Sequence, residues 1–313
     1  MVVDIENITE KLQIEFKKLH AKFKTVSIVH LKDLQTELMT WQRNGLISEK
    51  FYKQNYGQFI FHPPETLQNA RSIIIIGVPQ KVTRVEFFNK NKRYQTIIPP
   101  TYLFTEVRVA CKEILTTVLG KKGYSVDRAI LPMKLLAVKS GLGKYGKNNL
   151  CYVDGMGSYM RLEAFYTDYE FPTDDWYEKE LMTACHTCSL CQQACPTQCI
   201  PSGRILIHAD HCLTYFNENI GDFPPSIPQQ AHHALIGCMR CQLICPQNKK
   251  YFGFNADTIM FTEEEISCIL QKTPRENIPQ ALAKKLVDID MYEYYPELPR
   301  NFAVLIEKKK AAT

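Results

Sequence analysis

At 313 residues, with 45% hydrophobic and 23% charged residues, the chain has the composition of an ordinary globular protein that buries a sizeable core. Its net charge of +5 permits an anionic partner without indicating one. The longest wholly apolar run, residues 73–79, is far too short to span a bilayer, and residues 1–10 show neither a signal peptide nor a twin-arginine signal. We therefore expect no membrane association.

The first hundred residues alternate helical and extended patterns. Apolar residues recur at spacings of three and four over residues 5–23 and again over residues 31–43, which predicts two amphipathic helices with a short strand between them. Residues 51–61 are irregular and rich in aromatic side chains, which line either a cofactor pocket or a plain core patch. Residues 71–78 contain four consecutive isoleucines and predict a fully buried central strand.

The middle of the chain follows the same reasoning. Residues 94–100 read as extended and residues 101–119 as a long helix. Two strands, residues 149–153 and 159–167, flank the turn sequence 154–157 and predict a hairpin. The acidic residues 168–180 read as a linker. Beyond residue 246 the pattern is mostly helical, with helices predicted over residues 262–271, 278–287 and 301–310.

The strongest signal is a set of cysteines between residues 185 and 246. It consists of Cys185-x2-Cys188-x2-Cys191-x3-Cys195-Pro196, the single Cys212, and Cys238-x2-Cys241-x3-Cys245-Pro246. The first run has the bacterial iron–sulfur spacing, in which three thiolates hold one [4Fe–4S] cube and the fourth ligates the other. We therefore predict one cube on Cys185, Cys188, Cys191 and Cys245, and a second cube on Cys195, Cys212, Cys238 and Cys241.

Two other uses of these cysteines are less consistent with the pattern. Paired Cys-x2-Cys motifs also suit zinc, but zinc sites close at four ligands and make no use of the first run. A disulfide framework belongs to oxidising compartments, whereas cluster cysteines need a reducing one, so we expect a cytoplasmic protein. The remaining cysteines follow no ligand spacing and read as small buried apolar residues; they are Cys111, Cys151, Cys199 and Cys268.

Residues 141–148, Gly-Leu-Gly-Lys-Tyr-Gly-Lys-Asn, form a glycine-rich run. Glycines let backbone amides approach a large cofactor closely, and they also make tight structural turns, so the run alone leaves both interpretations open. It is not a dinucleotide fingerprint, because no clear strand leads into it and no acidic residue follows at the required distance.

Together these motifs resemble the epoxyqueuosine reductase family, whose members are relatives of corrinoid-dependent reductive dehalogenases. The resemblance rests on residues 137–148, on Gly157-Ser158 and on the double-cluster cysteines. It extends to residues 64–76, to Cys195-Pro196-Thr197 and to residues 298–304, and it keeps the order of the family.

The resemblance implies the fold, the cofactors and the reaction. The fold would be α+β: a corrinoid-binding α/β domain (residues 1–175), a ferredoxin-like double [4Fe–4S] domain (176–255) and a helical C-terminal segment packing back on the core (256–313). The first domain would hold cobalamin, and a low-potential donor of the flavodoxin or ferredoxin type would supply electrons. The reaction would be the reduction of epoxyqueuosine to queuosine in tRNA. The implied cobalamin contacts are Gly141, Leu142, Gly143, Gly146, Lys147, Asn148 and Ser158.

Asp127 lies fourteen residues before Gly141, the offset at which the family carries a proton-donating aspartate. An aspartate is ordinarily ionised near neutral pH, so this role requires surroundings that favour the protonated carboxyl. The alternative is an aspartate that accepts hydrogen bonds from amides in a local turn.

Two differences from the family keep the substrate open. Residues 93–100 occupy the place of a segment that the family carries after its central strand, and members that act on tRNA commonly carry a C-terminal helical-repeat extension. Another epoxide, an organohalide or another small molecule is therefore an alternative substrate. The alternative function is an electron-transfer protein that reduces the corrinoid of a partner or another redox enzyme.

Overall fold

The computed structural model describes residues 7–311. Its α-helices are α1 (Ile8–Lys18), α2 (Leu31–Arg43), α3 (Glu49–Asn55), α4 (Thr105–Gly120), α5 (Met133–Lys139), α6 (Leu190–Gln193), α7 (Leu213–Glu218), α8 (Arg240–Leu243), α9 (Glu263–Leu270), α10 (Gln280–Asp288) and α11 (Leu298–Ala311). Its strands are β1 (Lys22–Ser27), β2 (Ser72–Pro79), β3 (Val82–Asn89), β4 (Lys92–Ile98), β5 (Val126–Arg128), β6 (Lys144–Tyr145), β7 (Cys151–Tyr152), β8 (Met160–Thr167) and β9 (Phe254–Phe261).

The described residues divide into two compact units. The first contains residues 7–79 and 105–188, and the second contains residues 80–104 and 189–311. The second unit therefore includes residues 80–104, which the sequence analysis assigned to the N-terminal domain. In the part of the chain that the structure describes, no helix combines the length and apolar character that a membrane crossing requires.

The first unit is built on a four-stranded antiparallel sheet in the order β1-β2-β8-β5. The four isoleucines of β2, residues 73–76, are fully buried, which confirms the predicted central strand. Helices α1 and α4 pack on one face of this sheet against Ile74, Ile76 and Phe165, and α5 also packs against β2 and β8.

The predicted helix over residues 5–23 is shorter in the structure, where α1 ends at Lys18 and Phe23 already belongs to β1. Its predicted start, Ile5, lies outside the described residues. The predicted helix over residues 31–43 is confirmed as α2, which buries Leu34, Leu38 and Trp41.

The predicted hairpin of residues 149–167 is wrong beyond its turn. Val153 and Gly157 exchange two backbone hydrogen bonds of 2.9 and 3.0 Å around the turn, but β7 pairs with β6 and β8 pairs with β2 and β5. Burial explains the choice, because the apolar residues of β8, such as Phe165, reach the core only beside β2.

The acidic residues 168–180 do not form a free linker but pack on the first unit. Trp176 stacks on His30 with ring centroids 4.2 Å apart, and the amide of Tyr177 donates to the carbonyl of Lys139 at 2.7 Å. Lys139 is buried, and its Nζ lies 3.4 Å from Glu37 and 3.4 Å from Glu178. The segment that leads to Cys185 is therefore fixed.

The second unit contains a three-stranded sheet in the order β4-β3-β9, in which β3 pairs antiparallel with β4 and parallel with β9. Strands β3 and β9 were not predicted; residues after 246 were expected to be mostly helical. The helices α9, α10 and α11 confirm the three predicted there. Phe87, Phe261 and Phe302 join sheet and helices in one core.

Candidate functional site

Asp127 is the middle residue of β5, directly opposite Tyr166 of β8. Opposite residues in an antiparallel pair share one face of the sheet. The half-buried Asp127 carboxylate accepts a hydrogen bond from the Thr66 hydroxyl at 2.5 Å and another from the Arg128 amide at 2.7 Å. The Arg128 side chain is directed elsewhere, with its Nε 4.0 Å from Glu163. Asp127 is thus held by a neutral donor on one oxygen and a backbone donor on the other.

Tyr166, opposite Asp127, is linked to the aromatic stretch of residues 51–61. The hydroxyl of Tyr166 donates to the carbonyl of Ile60 at 3.4 Å, and the amide of Ile60 donates to the carbonyl of Ile130 at 2.9 Å. The aromatic stretch of residues 51–61 is thereby fixed beside β5 and β8. Burial raises the pKa of Tyr56 and of Tyr166, so both phenols stay protonated at neutral pH.

The glycines of the loop at residues 141–148 are required by contacts within the protein. Gly141 has φ +73°, and a Cβ at this position would lie 2.8 Å from the ring of Tyr177. A Cβ on Gly143 would lie 2.6 Å from the Cys151 sulfur and 2.6 Å from the Tyr152 carbonyl. Close packing of the chain on itself therefore accounts for these glycines without a ligand.

Lys147 joins the glycine-rich loop to the first cysteine loop. Its Nζ donates to the carbonyl of Cys188 at 2.8 Å and to that of His186 at 3.3 Å. All of these residues belong to the first unit. Lys147, which the sequence predicts to contact cobalamin, therefore also binds the backbone of the loop that carries Cys185 and Cys188. The sequence did not predict this second interaction.

The other loop residues are placed as follows. Asn148 is buried, and its Nδ2 donates to the hydroxyl of Tyr152 at 3.0 Å. Leu142 is buried and Ser158 is half-buried. The neighbouring Asn149 has φ +58° and a buried side-chain nitrogen, Nδ2, with no hydrogen-bond partner. A buried amide of this kind can donate to a bound group.

Four of the predicted ligands of the second cube cluster in the second unit. The charges of Cys238, Cys212 and Cys195, and also that of Cys191 from the first set, act on Cys241. The charges of Cys212 and Cys195 act on Cys238. Burial raises the pKa of Cys241 and raises the pKa of Cys238 to about 12. A hydrogen bond with Cys199 lowers the pKa of Cys195 to about 5 and that of Cys212 to about 7.

The residue type of this set is the one that a [4Fe–4S] cube requires. A cube takes one thiolate at each of its four iron atoms, and soft thiolates are its preferred ligands. Among the residues that the structure describes, no three His, Cys, Asp or Glu side chains meet as the ligands of one metal ion would.

Helix α11 fixes the backbone on both sides of this cysteine group. The buried Asn301 donates from Nδ2 to the carbonyls of Asn217 and Leu235, both at 3.0 Å. Arg300 donates to the carbonyl of Phe216 at 2.7 Å and to that of Asn219 at 2.9 Å. The same helix therefore holds residues 213–221, which follow Cys212, and residue 235, which precedes Cys238.

The comparisons with known proteins agree with this arrangement. Residues 184–248 match the family described as a 4Fe-4S double cluster binding domain. An epoxyqueuosine reductase of Lactococcus garvieae is 31% identical over 266 residues, which cover 77% of this chain and 70% of the relative. This chain belongs to the epoxyqueuosine reductase family.

A further relative and two solved structures are also similar to this chain. The epoxyqueuosine reductase of Vibrio cholerae is 27% identical over 250 residues, which cover 76% of this chain. The match spans 66% of the length of that relative. The structure of epoxyqueuosine reductase from Streptococcus thermophilus has a TM-score of 0.68 at 19% identity and covers 96% of this chain and 81% of that one.

A crystal structure of an epoxyqueuosine reductase with an epoxyqueuosine-modified tRNA-Tyr stem loop has a TM-score of 0.64 at 18% identity. It covers 96% of this chain and 82% of that one. The family resemblance and the α+β fold expected from the sequence are thus confirmed.

Several residues of the site were missed in the sequence. Thr66 is separated from Asp127 by sixty-one positions and carries no motif. The contact of Cys199 with Cys195 was hidden because its spacing fits no ligand position. Arg300 and Asn301 lay inside a recognised motif, residues 298–304, but only the fold shows which carbonyls they bind.

Proposed function

We propose that this protein is a reductase with two [4Fe–4S] cubes and cobalamin that converts epoxyqueuosine to queuosine in tRNA. One observation carries the proposal. This chain belongs to the family, and its Lys147 connects the predicted cobalamin loop to the loop of Cys185 and Cys188 by a hydrogen bond to the Cys188 carbonyl. The predicted cofactor contacts and the predicted first cluster loop are thus neighbours within one unit.

The cysteines would hold the cubes in the two sets that the spacing indicates. One set is Cys185, Cys188, Cys191 and Cys245, and the other is Cys195, Cys212, Cys238 and Cys241. The charges that Cys195 and Cys212 exert on both Cys238 and Cys241 support the assignment of the second set. Two cubes supply one electron each, which matches the two electrons needed to remove an epoxide oxygen.

Cobalamin would be held by Gly141, Leu142, Gly143, Gly146, Lys147, Asn148 and Ser158. The buried, unpartnered Nδ2 of Asn149 beside this loop fits a group with amide or other acceptor oxygens. When bound, cobalamin supplies a low-potential cobalt centre for reduction of a carbon–oxygen bond.

Asp127 would donate a proton to the oxygen that leaves the epoxide carbon. Its carboxyl is fixed by Thr66 and by its neighbouring amide, so one orientation is imposed before substrate binds. Orientation of this kind favours general acid catalysis.

The partners follow from the family and the cofactors. The tRNA substrate is supported by the relative whose structure contains a modified tRNA stem loop. The electrons would come from a low-potential donor of the flavodoxin or ferredoxin type. A reducing, cytoplasmic compartment is proposed because cluster thiolates persist only where thiols stay reduced.

Anaerobic reconstitution of the full chain tests the cofactors. The protein should take up two cubes and one equivalent of cobalamin, measured by iron and sulfide content and by corrinoid absorbance. Two cubes without corrinoid uptake would contradict the proposal and support an electron-transfer protein. In cells lacking the protein, tRNA should accumulate epoxyqueuosine, and a normal queuosine content there would exclude the proposed substrate.

Asp127→Asn tests the proton donor. The variant should keep both kinds of cofactor and lose turnover, because an amide cannot supply the proton. Asp154→Asn is the matched control, since the Asp154 carboxyl is 93% exposed at a turn of the same unit. Undiminished turnover in Asp127→Asn would remove the residue from the mechanism.

A further inference from the structure

Cys199 is a fifth thiol inside the predicted ligand set of the second cube. It is 2% exposed, and its sulfur lies 3.5 Å from the sulfur of Cys195. The sequence predicts Cys199 only as a small buried apolar residue; the structure confirms the burial and adds contact with the predicted ligand Cys195.

The backbone around Cys199 is fixed in a way that keeps this contact. The amide of His208 donates to the carbonyl of Cys199 at 2.8 Å. The preceding residue, Gln198, has φ +51°, a conformation that turns the chain sharply after Cys195. The amide of Gln198 also donates to the carbonyl of Cys195 at 3.2 Å. The two sulfurs are thus held together by the turn.

A cube has four iron corners, and Cys195, Cys212, Cys238 and Cys241 already supply four thiolates. The fifth thiol therefore keeps its proton and is a hydrogen-bond donor to the sulfur beside it. We infer that Cys199 donates its one S–H···S hydrogen bond to the ligand sulfur of Cys195, 3.5 Å away, and raises the reduction potential of the second cube. This inference rests on the proposed function.

The direction of the effect follows from charge. One-electron reduction, by dithionite or by the donor protein, adds one negative charge to the cube and its thiolates without making or breaking a bond. A hydrogen-bond donor at a ligand sulfur stabilises the more negative, reduced cube more than it stabilises the oxidised cube. The reduction potential is therefore higher with the donor than without it. Cys199 is therefore a tuning residue, and it neither ligates iron nor contacts substrate.

The test compares the full, anaerobically reconstituted chain with Cys199→Ala and Cys199→Ser, with Cys268→Ala as control. Cys268 is a half-buried cysteine of the same unit that packs on the core of α9 to α11. Iron and sulfide content, circular dichroism and an EPR-monitored redox titration are measured for each. The readout is the midpoint potential of each cube, which does not depend on enzymatic activity.

We expect Cys199→Ala to keep both cubes and to shift one midpoint potential to a more negative value. Cys199→Ser, which retains a donor, should lie closer to the wild type, and Cys268→Ala should match it. Loss of four iron atoms in Cys199→Ala would show that Cys199 is a ligand and overturn the inference. An unchanged potential, or the same shift in Ala and Ser, would also overturn it.

The same measurements distinguish a failure of this inference from a failure of the proposed function. A wild-type chain that assembles fewer than two cubes would contradict the proposed function, and the inference with it. Two cubes in the wild type with a Cys199-independent potential would contradict the inference alone.

Discussion

Thr66 fixes the carboxyl that we propose as the proton donor, because its hydroxyl donates to Asp127 Oδ2. Thr66→Val keeps the shape of the side chain and removes the donor. The Asp127 carboxyl becomes charged as it gives up its proton, and a hydrogen bond to a charged group contributes about 1.5–3 kcal/mol. Loss of this contribution in the transition state lowers turnover by roughly tenfold or more. Thr66→Ser should retain most of the rate.

The measurement is the single-turnover rate of the cofactor-loaded variants on epoxyqueuosine-containing RNA. Cofactor content must be equal in Thr66→Val, Thr66→Ser and the wild type for the comparison to hold. A Thr66→Val rate equal to that of the wild type would show that Asp127 needs no such support.

Gly237 allows the backbone to pass Tyr102 immediately before Cys238. It has φ +65°, and a Cβ would overlap the hydroxyl of Tyr102 and lie 2.6 Å from its ring. Gly237→Ala should displace Cys238 and lower the occupancy of the second cube, measured as iron bound per chain. Gly203→Ala is the matched control, because Gly203 has φ +80° with nothing within 4 Å of a Cβ.

Both alanines carry the strain of a positive φ, about 1–2 kcal/mol, but only one meets another side chain. Equal iron content in Gly237→Ala and Gly203→Ala would mean that the Tyr102 contact is unimportant for the cube.

At the level of helices and strands, prediction from sequence succeeded where one periodic pattern decides. The helix α2 was predicted at its observed bounds because Leu34, Leu38 and Trp41 mark one face. The four consecutive isoleucines of β2 give neither face of the strand a polar side chain, so the sequence predicts that both faces are buried. Local patterns of this kind are independent of the rest of the fold.

Prediction failed where pairing between distant segments decides. Strand β9 forms because it pairs in parallel with β3, which lies more than 160 residues earlier in the chain. Polar and apolar residues alternate poorly in its own sequence, Phe-Asn-Ala-Asp-Thr-Ile-Met-Phe. Strand β5 has three residues and is defined only by β8. For the same reason the sequence does not show that Thr66 contacts Asp127. Seven of the eight predicted cluster cysteines are recognisable because their spacing is local, whereas Cys212 stands apart from both runs.

Helix α11 provides a test at this scale, because Asn301 satisfies two buried carbonyls at once. Asn301→Ala leaves both without their donor, and each unsatisfied buried group costs about 1–3 kcal/mol. We expect a lower free energy of unfolding by chemical denaturant and a lower iron content of the second cube. Lys284→Ala on α10, where the side chain is 74% exposed, should change neither quantity.

The two effects of Asn301→Ala separate two roles. A reduced stability with full iron content would mean that α11 supports the core without holding the cysteine loops. Full stability together with full iron content would contradict the proposed clamp.

At the scale of the whole molecule, the segment that carries most of the predicted cluster ligands is stabilised differently from the sheets of the two units. The sheet of the first unit has fully buried isoleucines on β2 and a helix-covered face. The α-helices of residues 189–248 in the second unit are α6, α7 and α8, of four, six and four residues, and three 3-10 turns of three residues each accompany them. Isolated helices below about 12–15 residues are marginal in water, so this segment depends on other interactions.

Bound clusters are the strongest interaction available to it, because metal ligation contributes directly to folding. Residues 189–248 carry six of the eight predicted ligands, Cys191, Cys195, Cys212, Cys238, Cys241 and Cys245. Their local apolar core is small and is built around Leu213, Ile227 and Ala231. Removal of iron should therefore loosen this segment selectively.

Hydrogen–deuterium exchange with mass spectrometry measures this before and after anaerobic chelation of iron. Peptides from residues 189–248 should lose protection, whereas peptides from β2 and β8 should keep it, because their amides are in a buried sheet. Reconstitution with iron and sulfide should restore the protection and serves as the control. Equal protection of residues 189–248 with and without iron would show that the polypeptide alone folds this segment, and uniform loss of protection would show that β2 and β8 also depend on the clusters.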